Sequence, residues 1–215
     1  MAIIGNLRHR PTRRLTHLFV GLALYGFSMA LMIRSGLGLN PWDVFHQGLS
    51  RLTGLSMGTV VIAVGALVLL AWIPLRQRPG LGTVANVVVI GLAVDATLAL
   101  LPPGGPLALR IVLLVVGIVG NGAATALYLG ARLGPGPRDG LMTGLVARRP
   151  GRSPRLVRTV IEVGVLAVGA VLGGTVGIGT IAYALTIGPL AQLFLPLFDV
   201  AEPNPAALVE PAPAA

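Results

Sequence analysis

The sequence of 215 residues contains no cysteine and no lysine, and only seven of its residues are acidic. Without cysteine there is no disulfide framework, no thiol chemistry and no cysteine-based metal site. Without lysine all 16 basic residues are arginine, so the formal charge of +9 does not titrate away near neutral pH. Charged residues make up 11% of the chain, against about a quarter in soluble domains, which excludes an ordinary soluble fold. A basic balance can indicate nucleic-acid binding, but too little of this chain is polar enough for that partner. No Gly-x-Ser-x-Gly elbow, His-Glu-x-x-His pair or P-loop occurs. Asp43, Asp95, Asp139 and Glu162 are scattered outside any recognisable motif. An enzyme is therefore not expected, nor is a cofactor or a metal site.

What is present is apolar: 54% hydrophobic residues, 30 glycines, 17 prolines and a mean hydropathy of +0.86. Runs of about 20 apolar residues recur, the length a helix needs to cross a bilayer core. Six are expected to span: Leu15–Ile33, Met57–Leu75, Leu81–Leu101, Leu107–Leu129, Val160–Val176 and Ile178–Phe198. The fifth carries Glu162 near its start and Gly173-Gly174 near its end, so five spans is the alternative. The first span resembles a signal peptide in its Arg-rich flank and its Ser28-Met29-Ala30, but it is long for one and has an internal counterpart. With the N-terminus in the cytoplasm, 13 of the 16 arginines fall on the cytoplasmic side and only Arg34, Arg51 and Arg110 outside. The positive-inside bias thus predicts a multi-pass protein of the cytoplasmic (inner) membrane with both termini inside. Residues 1–14 form an Arg-rich arm, and residues 199–215, rich in proline, are expected to be disordered.

Residues 15–101 and 107–198 repeat one another at an offset of 96, later 97. Gly26, Ala30, Leu31, Leu37, Gly38, Pro41, Asp43, Gly48 and Leu49 match Gly122, Ala126, Leu127, Leu133, Gly134, Pro137, Asp139, Gly144 and Leu145. Further on, Gly80, Gly82, Thr83, Ala85, Ile90 and Gly91 match Gly177, Gly179, Thr180, Ala182, Ile187 and Gly188. Three spans per repeat force the second copy upside down in the membrane, the plan of many secondary transporters. The expected fold is all-α: two inverted three-helix repeats, each with a short non-spanning helix after its first span. The small residues Gly26, Ala30, Gly122 and Ala126 are expected to bring helices close.

The turn Gly36-Leu37-Gly38-Leu39-Asn40-Pro41-Trp42-Asp43 recurs as Leu133-Gly134-Pro135-Gly136-Pro137-Arg138-Asp139. Each reads as a helix start, with Asn40 or Gly136 as cap, proline at the first position and aspartate at the third. Trp42, Phe45, Leu49 and Leu52 then fall on one helical stripe. The short helices either lie on opposite membrane surfaces, with their aspartates merely capping, or dip inward so that their N-termini form a site between the repeats. The stretches Gly38–Leu49 and Leu75–Thr83 resemble the YczE/YyaS/YitT family of bacterial integral membrane proteins. The resemblance covers all six spans and implies a membrane protein, without bringing a substrate or catalytic set.

Asp95 lies inside the third span, with Gln192 as its counterpart, and is either a hydrogen-bonded carboxyl near the external end or a proton or cation site. Glu162 follows Arg158 by four residues, a spacing that favours an ion pair. Asn86, Asn121, Tyr25 and Tyr183 suit hydrogen bonds between helices, while His17 and His46 are too isolated for a metal. The expected function is small-solute transport, with Asn40, Trp42, Asp43, Asp95, Asp139 and Gln192 as candidate binding residues beside the lipid bilayer itself. The alternative is a non-transporting regulator, engaging a membrane partner, another copy or anionic headgroups through Arg152, Arg155 and Arg158.

Overall fold

Proline and glycine mark where the helices begin and end. The computed structural model describes residues 10–148, 151 and 153–200; most of the N-terminal arm, Arg149, Arg152 and nearly all of the Pro-rich tail lie outside the described residues. Among the described residues the chain forms eight α-helices and no strand: α1 Pro11–Ser35, α2 Pro41–Thr53, α3 Met57–Leu75, α4 Leu81–Leu100, α5 Leu107–Gly130, α6 Pro137–Arg148, α7 Pro154–Val171 and α8 Ile178–Phe198. Proline opens α1, α2, α6 and α7, where its missing N–H has no intrahelical partner to lose. The starts of α1, α2, α3 and α4 are followed by those of α5, α6, α7 and α8 at offsets of 96, 96, 97 and 97 residues.

Five of these helices, α1, α3, α4, α5 and α8, are long and apolar enough to cross a membrane. The expected span Val160–Val176 is displaced: α7 starts at Pro154 and stops at Val171. Ser153-Pro154 supplies its start, while Gly173, with φ of 89°, breaks it before the end expected from hydropathy. It therefore takes in Arg155 and Arg158 as well as Glu162.

Small residues set the packing, as close backbone approach requires. Helices α1 and α5 lie together, Gly21 against Tyr128 and Ala124, Gly117 against Ser28 and Met32. Gly26 seats α1 on α4 at Ile90 and Val94, and Gly122 seats α5 on α8 at Leu190; Ala30 and Ala126 are buried nearby. The short helices reach across, α2 packing on α7 where Gly169 meets Val44 and Phe45, and α6 on α3 where Gly140 meets the Trp72 ring. Leu67, Leu70, Ile73, Leu92, Leu185 and Leu197 point outward and exposed, an apolar surface suited to lipid rather than water.

Equivalent backbone contacts join the turns to the distant helices. Leu37 O accepts from Gly179 N–H and Leu133 O from Gly82 N–H, both at 2.8 Å. Gly38 and Gly134 share φ of 125°, a conformation closed to other residues, and a Cβ on either would collide with Thr180 or Thr83 at the start of the opposing helix. At the end of the bundle where α1 begins, the near end, Arg14 donates to Val200 O, Arg132 binds Asp199 at 2.6 and 2.7 Å, and Arg148 donates to Pro74 O. At the far end Arg34 donates to Leu98 O, Arg110 to Ser35 O and Gly36 O, and Arg51 to Gly173 O. The Arg132 guanidinium holds the Asp199 carboxyl below its usual range.

Candidate functional site

Neither short helix lies flat on a surface. The first turns of α2 and α6 meet inside the bundle, and from there α2 runs to the far end, at Gly173 and Thr175, and α6 to the near end, at Pro74. Asn40 caps α2: its Oδ1 accepts from Asp43 N–H at 2.9 Å, and its Nδ2 donates to the Asp43 carboxylate. The Asp43 side chain is 0% exposed, a placement tolerable only because it is paired. Arg138 from α6 supplies that pair at 3.5 Å, with its guanidinium 5.0 Å over the Trp42 ring, and His46 Nδ1 lies 3.4 Å from Asp43 Oδ1.

A cavity of about 410 Å³ opens at this junction, and every helix lines it. Helix α1 contributes Tyr25; α2 Trp42 and His46; α3 Val61 to Val68; α4 Asn86 to Ile90. From the other half come Thr125 and Tyr128 of α5, Arg138 and Asp139 of α6, Arg158 and Glu162 of α7, and Tyr183 to Gln192 of α8. On α4 and α7 these are residues of the first half, and on α5 of the last turns, so the cavity occupies the half of the bundle nearer the near end. Toward the far end the interior is filled: Asn121 donates to Ser28 Oγ at 3.0 Å and accepts from Tyr183 OH at 2.8 Å, between Met32 and Ile118. Against the cavity Trp42 Nε1 is buried without a hydrogen-bond partner, and His46 Nδ1 has only its 3.4 Å contact with Asp43.

The two aspartates differ sharply in company. Asp43 has an asparagine cap, an arginine and a histidine; Asp139 follows Gly136, which has no side chain to offer, and its charged neighbours are Arg158 and the adjacent Arg138. The Asp139 carboxylate accepts from Tyr128 OH at 3.4 Å, a long contact. Arg158, which bonds Glu162 at 2.9 Å as its spacing predicts, is engaged on the same wall.

Of the candidate binding residues, Asn40, Trp42, Asp139 and Gln192 line the cavity, and Asp43 stands behind its wall. Asp95 is elsewhere. At the far end it accepts from Ser56 Oγ and from Gly58 N–H at 2.7 Å, holding the first turn of α3 to α4. The backbones there touch, since a Cβ on Gly58 would stand 2.0 Å from Gly91 O. The equivalent place between α7 and α8 is open: a Cβ on Gly188, the equivalent of Gly91, would meet nothing within 4 Å, and neither Ser153 nor Gln192 repeats the Ser56–Asp95 bond. The turn residues Gly36, Gly38, Pro41, Gly134, Gly136 and Pro137 lie around the junction and the contacts leading to it. Sequence reasoning did not count Arg138, His46 or Tyr128 among the binding residues; the repeat alignment does place Arg138 opposite Trp42, the one signal that pointed to it.

The apolar helical bundle around an interior polar cavity is that of a polytopic integral membrane protein. Residues 12–196 match a family of unknown function, DUF6198, and the chain belongs to that family. It is 40% identical over 178 residues to an uncharacterized protein of Haemophilus influenzae, covering 83% of this chain and 81% of the relative. It is 34% identical over 185 residues to the uncharacterized membrane protein YczE of Bacillus subtilis, covering 85% and 86%. The uncharacterized protein YyaS of the same organism is 26% identical over 184 residues, covering 84% and 91%. No solved structure matches.

Proposed function

We propose that this protein carries a small solute across the bacterial cytoplasmic membrane, using two inverted three-helix repeats with α7 as a sixth crossing and both termini in the cytoplasm. The observation that carries the reading is the cavity where α2 and α6 meet, lined by all eight helices and by polar groups from both halves. A regulator has no evident use for an interior cavity of this size with charged groups from both halves in its wall.

On this reading the near end is cytoplasmic and the state described is open inward. The Asp95–Ser56–Gly58 clasp closes the outer side, and the equivalent Gln192, Ser153 and Arg155 are unclasped on the inner side. Transport exchanges the two arrangements: the α3–α4 clasp releases while α7 closes on α8. No covalent step is assigned to the protein.

The absence of native cysteine makes the test direct. Ala191→Cys, on the cavity wall, is labelled with an impermeant maleimide in intact cells and in inverted vesicles. A carrier gives labelling from both faces, faster from the cytoplasmic one. Labelling confined to the cytoplasmic face describes a fixed pocket and sinks the transport reading.

A further inference from the structure

Resting on the transport reading, we propose that the solute is a small zwitterion of the amino-acid type, its ammonium group on Asp139 and its carboxylate toward Arg138 and the Trp42 N–H. The repeat itself isolates the ammonium subsite. Asp43 and Asp139 occupy equivalent positions, yet Asp43 receives an asparagine amide and an arginine from the opposite half. At Asp139 the cap position is Gly136 and the position equivalent to Arg138 is Trp42, so in place of a bonded amide and a bonded arginine it has the long Tyr128 contact and the more distant charges of Arg158 and Arg138, and it lines the cavity. A cationic group of the solute fills the place that Arg138 fills for Asp43, with the Tyr128 hydroxyl and the Tyr25 ring alongside.

The other pole is marked independently. Trp42 is 7% exposed and lines the cavity, and its indole N–H, a donor only, has no acceptor. Arg138 uses one terminal nitrogen on Asp43 and is a quarter exposed, so it retains donors of its fork for a second anion. The charges around the junction also balance closely. Arg138 and Arg158 stand against Asp43, Asp139 and Glu162, and the N-termini of α2 and α6 add roughly half a positive charge each. A solute without net charge but with separated poles fits this field; a simple cation or a simple anion leaves one pole unanswered. Val61, Val64, Val87 and Ile90 leave room beside the poles for a short apolar side chain.

The test uses the purified full-length protein and a panel of zwitterions, glycine, norvaline, 4-aminobutyrate and glycine betaine, against butylamine and pentanoate, which each keep one pole of norvaline. Thermal unfolding is followed with each solute, and equilibrium dialysis of the labelled compounds reads binding that moves Tm too little. At ten times its Kd a bound zwitterion raises Tm by about 3–6 °C, while butylamine and pentanoate at that concentration do not. Asp139→Asn, which keeps the Tyr128 contact and the side-chain volume, weakens zwitterion binding by about 10- to 100-fold. Butylamine or pentanoate binding as well as norvaline overturns the proposal, as does undiminished binding by Asp139→Asn. So does a panel in which no zwitterion is retained, including the case where Asp139 takes up only a proton. If Ala191→Cys is meanwhile labelled from both faces, the substrate class falls and the transport reading stands.

Discussion

Replacing Asp95 by alanine separates a helix cap from a gate. The side chain accepts two hydrogen bonds, from Ser56 Oγ and Gly58 N–H. Bonds to a charged acceptor contribute about 1.5–3 kcal/mol each, and because Asp95 is only partly buried the lower value applies, about 2–3 kcal/mol for the pair. If the clasp exists only in the inward-open state, its loss favours the alternative state by about 30- to 150-fold. The readout is a cysteine pair at Ser153 and Gln192, the equivalents of Ser56 and Asp95, which comes within disulfide range only when α7 closes on α8. Under a mild oxidant the pair should cross-link slowly in the parent and at least tenfold faster with Asp95→Ala, with Gln192→Cys alone as the control. The opposing result is a lowered Tm with an unchanged cross-linking rate. Asp95 would then be only the cap of α3, and the exchange of clasps would be refuted.

Further perturbations probe the rest of the site. Arg138→Met leaves Asp43 buried without its cation and should cost about 3 kcal/mol, the low end for a broken buried pair because the guanidinium is partly exposed; Asp43→Asn in the same chain should restore part of it, as a double-mutant cycle in thermal unfolding will read. Gly58→Ala presses a methyl onto Gly91 O and should destabilise by about 1–3 kcal/mol, whereas Gly188→Ala meets open space and should unfold at or above the parental temperature, yet block closure of α7 on α8 and so abolish outer-face labelling of Ala191→Cys. Asp199, its pKa lowered from 3.8 by Arg132, binds protons more readily unfolded than folded, so its contribution is full above pH 3.8 and is lost as pH falls through the lower folded value. Arg132→Gln should flatten that acid limb of thermal unfolding, and an unchanged limb would remove the bridge from the account.

Local chemistry was the part of this molecule that could be read directly. Asn40 before Pro41, with Asp43 at the third helical position, is a cap recognisable from four residues, and the structure has it as such. The starts of the second-half helices follow those of the first at a nearly constant offset, with one extra residue between α6 and α7 as the only shift, although the span read from hydropathy began at Val160 rather than at Pro154. Partnerships across the chain were not legible. Arg138 lies 95 residues from Asp43, and nothing in a membrane-wide hydropathy pattern tells whether an arginine beside a turn faces water or a carboxylate. The partners of Asp95 were hidden for the same reason: Ser56 and Gly58, at the start of α3, are 39 and 37 residues away, and their bonds fit the reading of Asp95 as a hydrogen-bonded carboxyl near the external end. The end of α7 was misplaced because hydropathy continues through Val176, whereas the backbone turns at Gly173.

The crossed bonds from Gly82 to Leu133 and from Gly179 to Leu37 also bear on how the chain is made. When α4 has left the ribosome, the Gly82 amide and the Asp43 carboxylate have no partners from the second half, because Leu133 and Arg138 are still to be synthesised. The first half therefore waits in the bilayer with polar groups unanswered, and its completion comes later than its insertion. A quality-control protease that inspects the membrane for such groups meets them in every truncated product, so halves expressed separately should be degraded and halves expressed together should rescue one another.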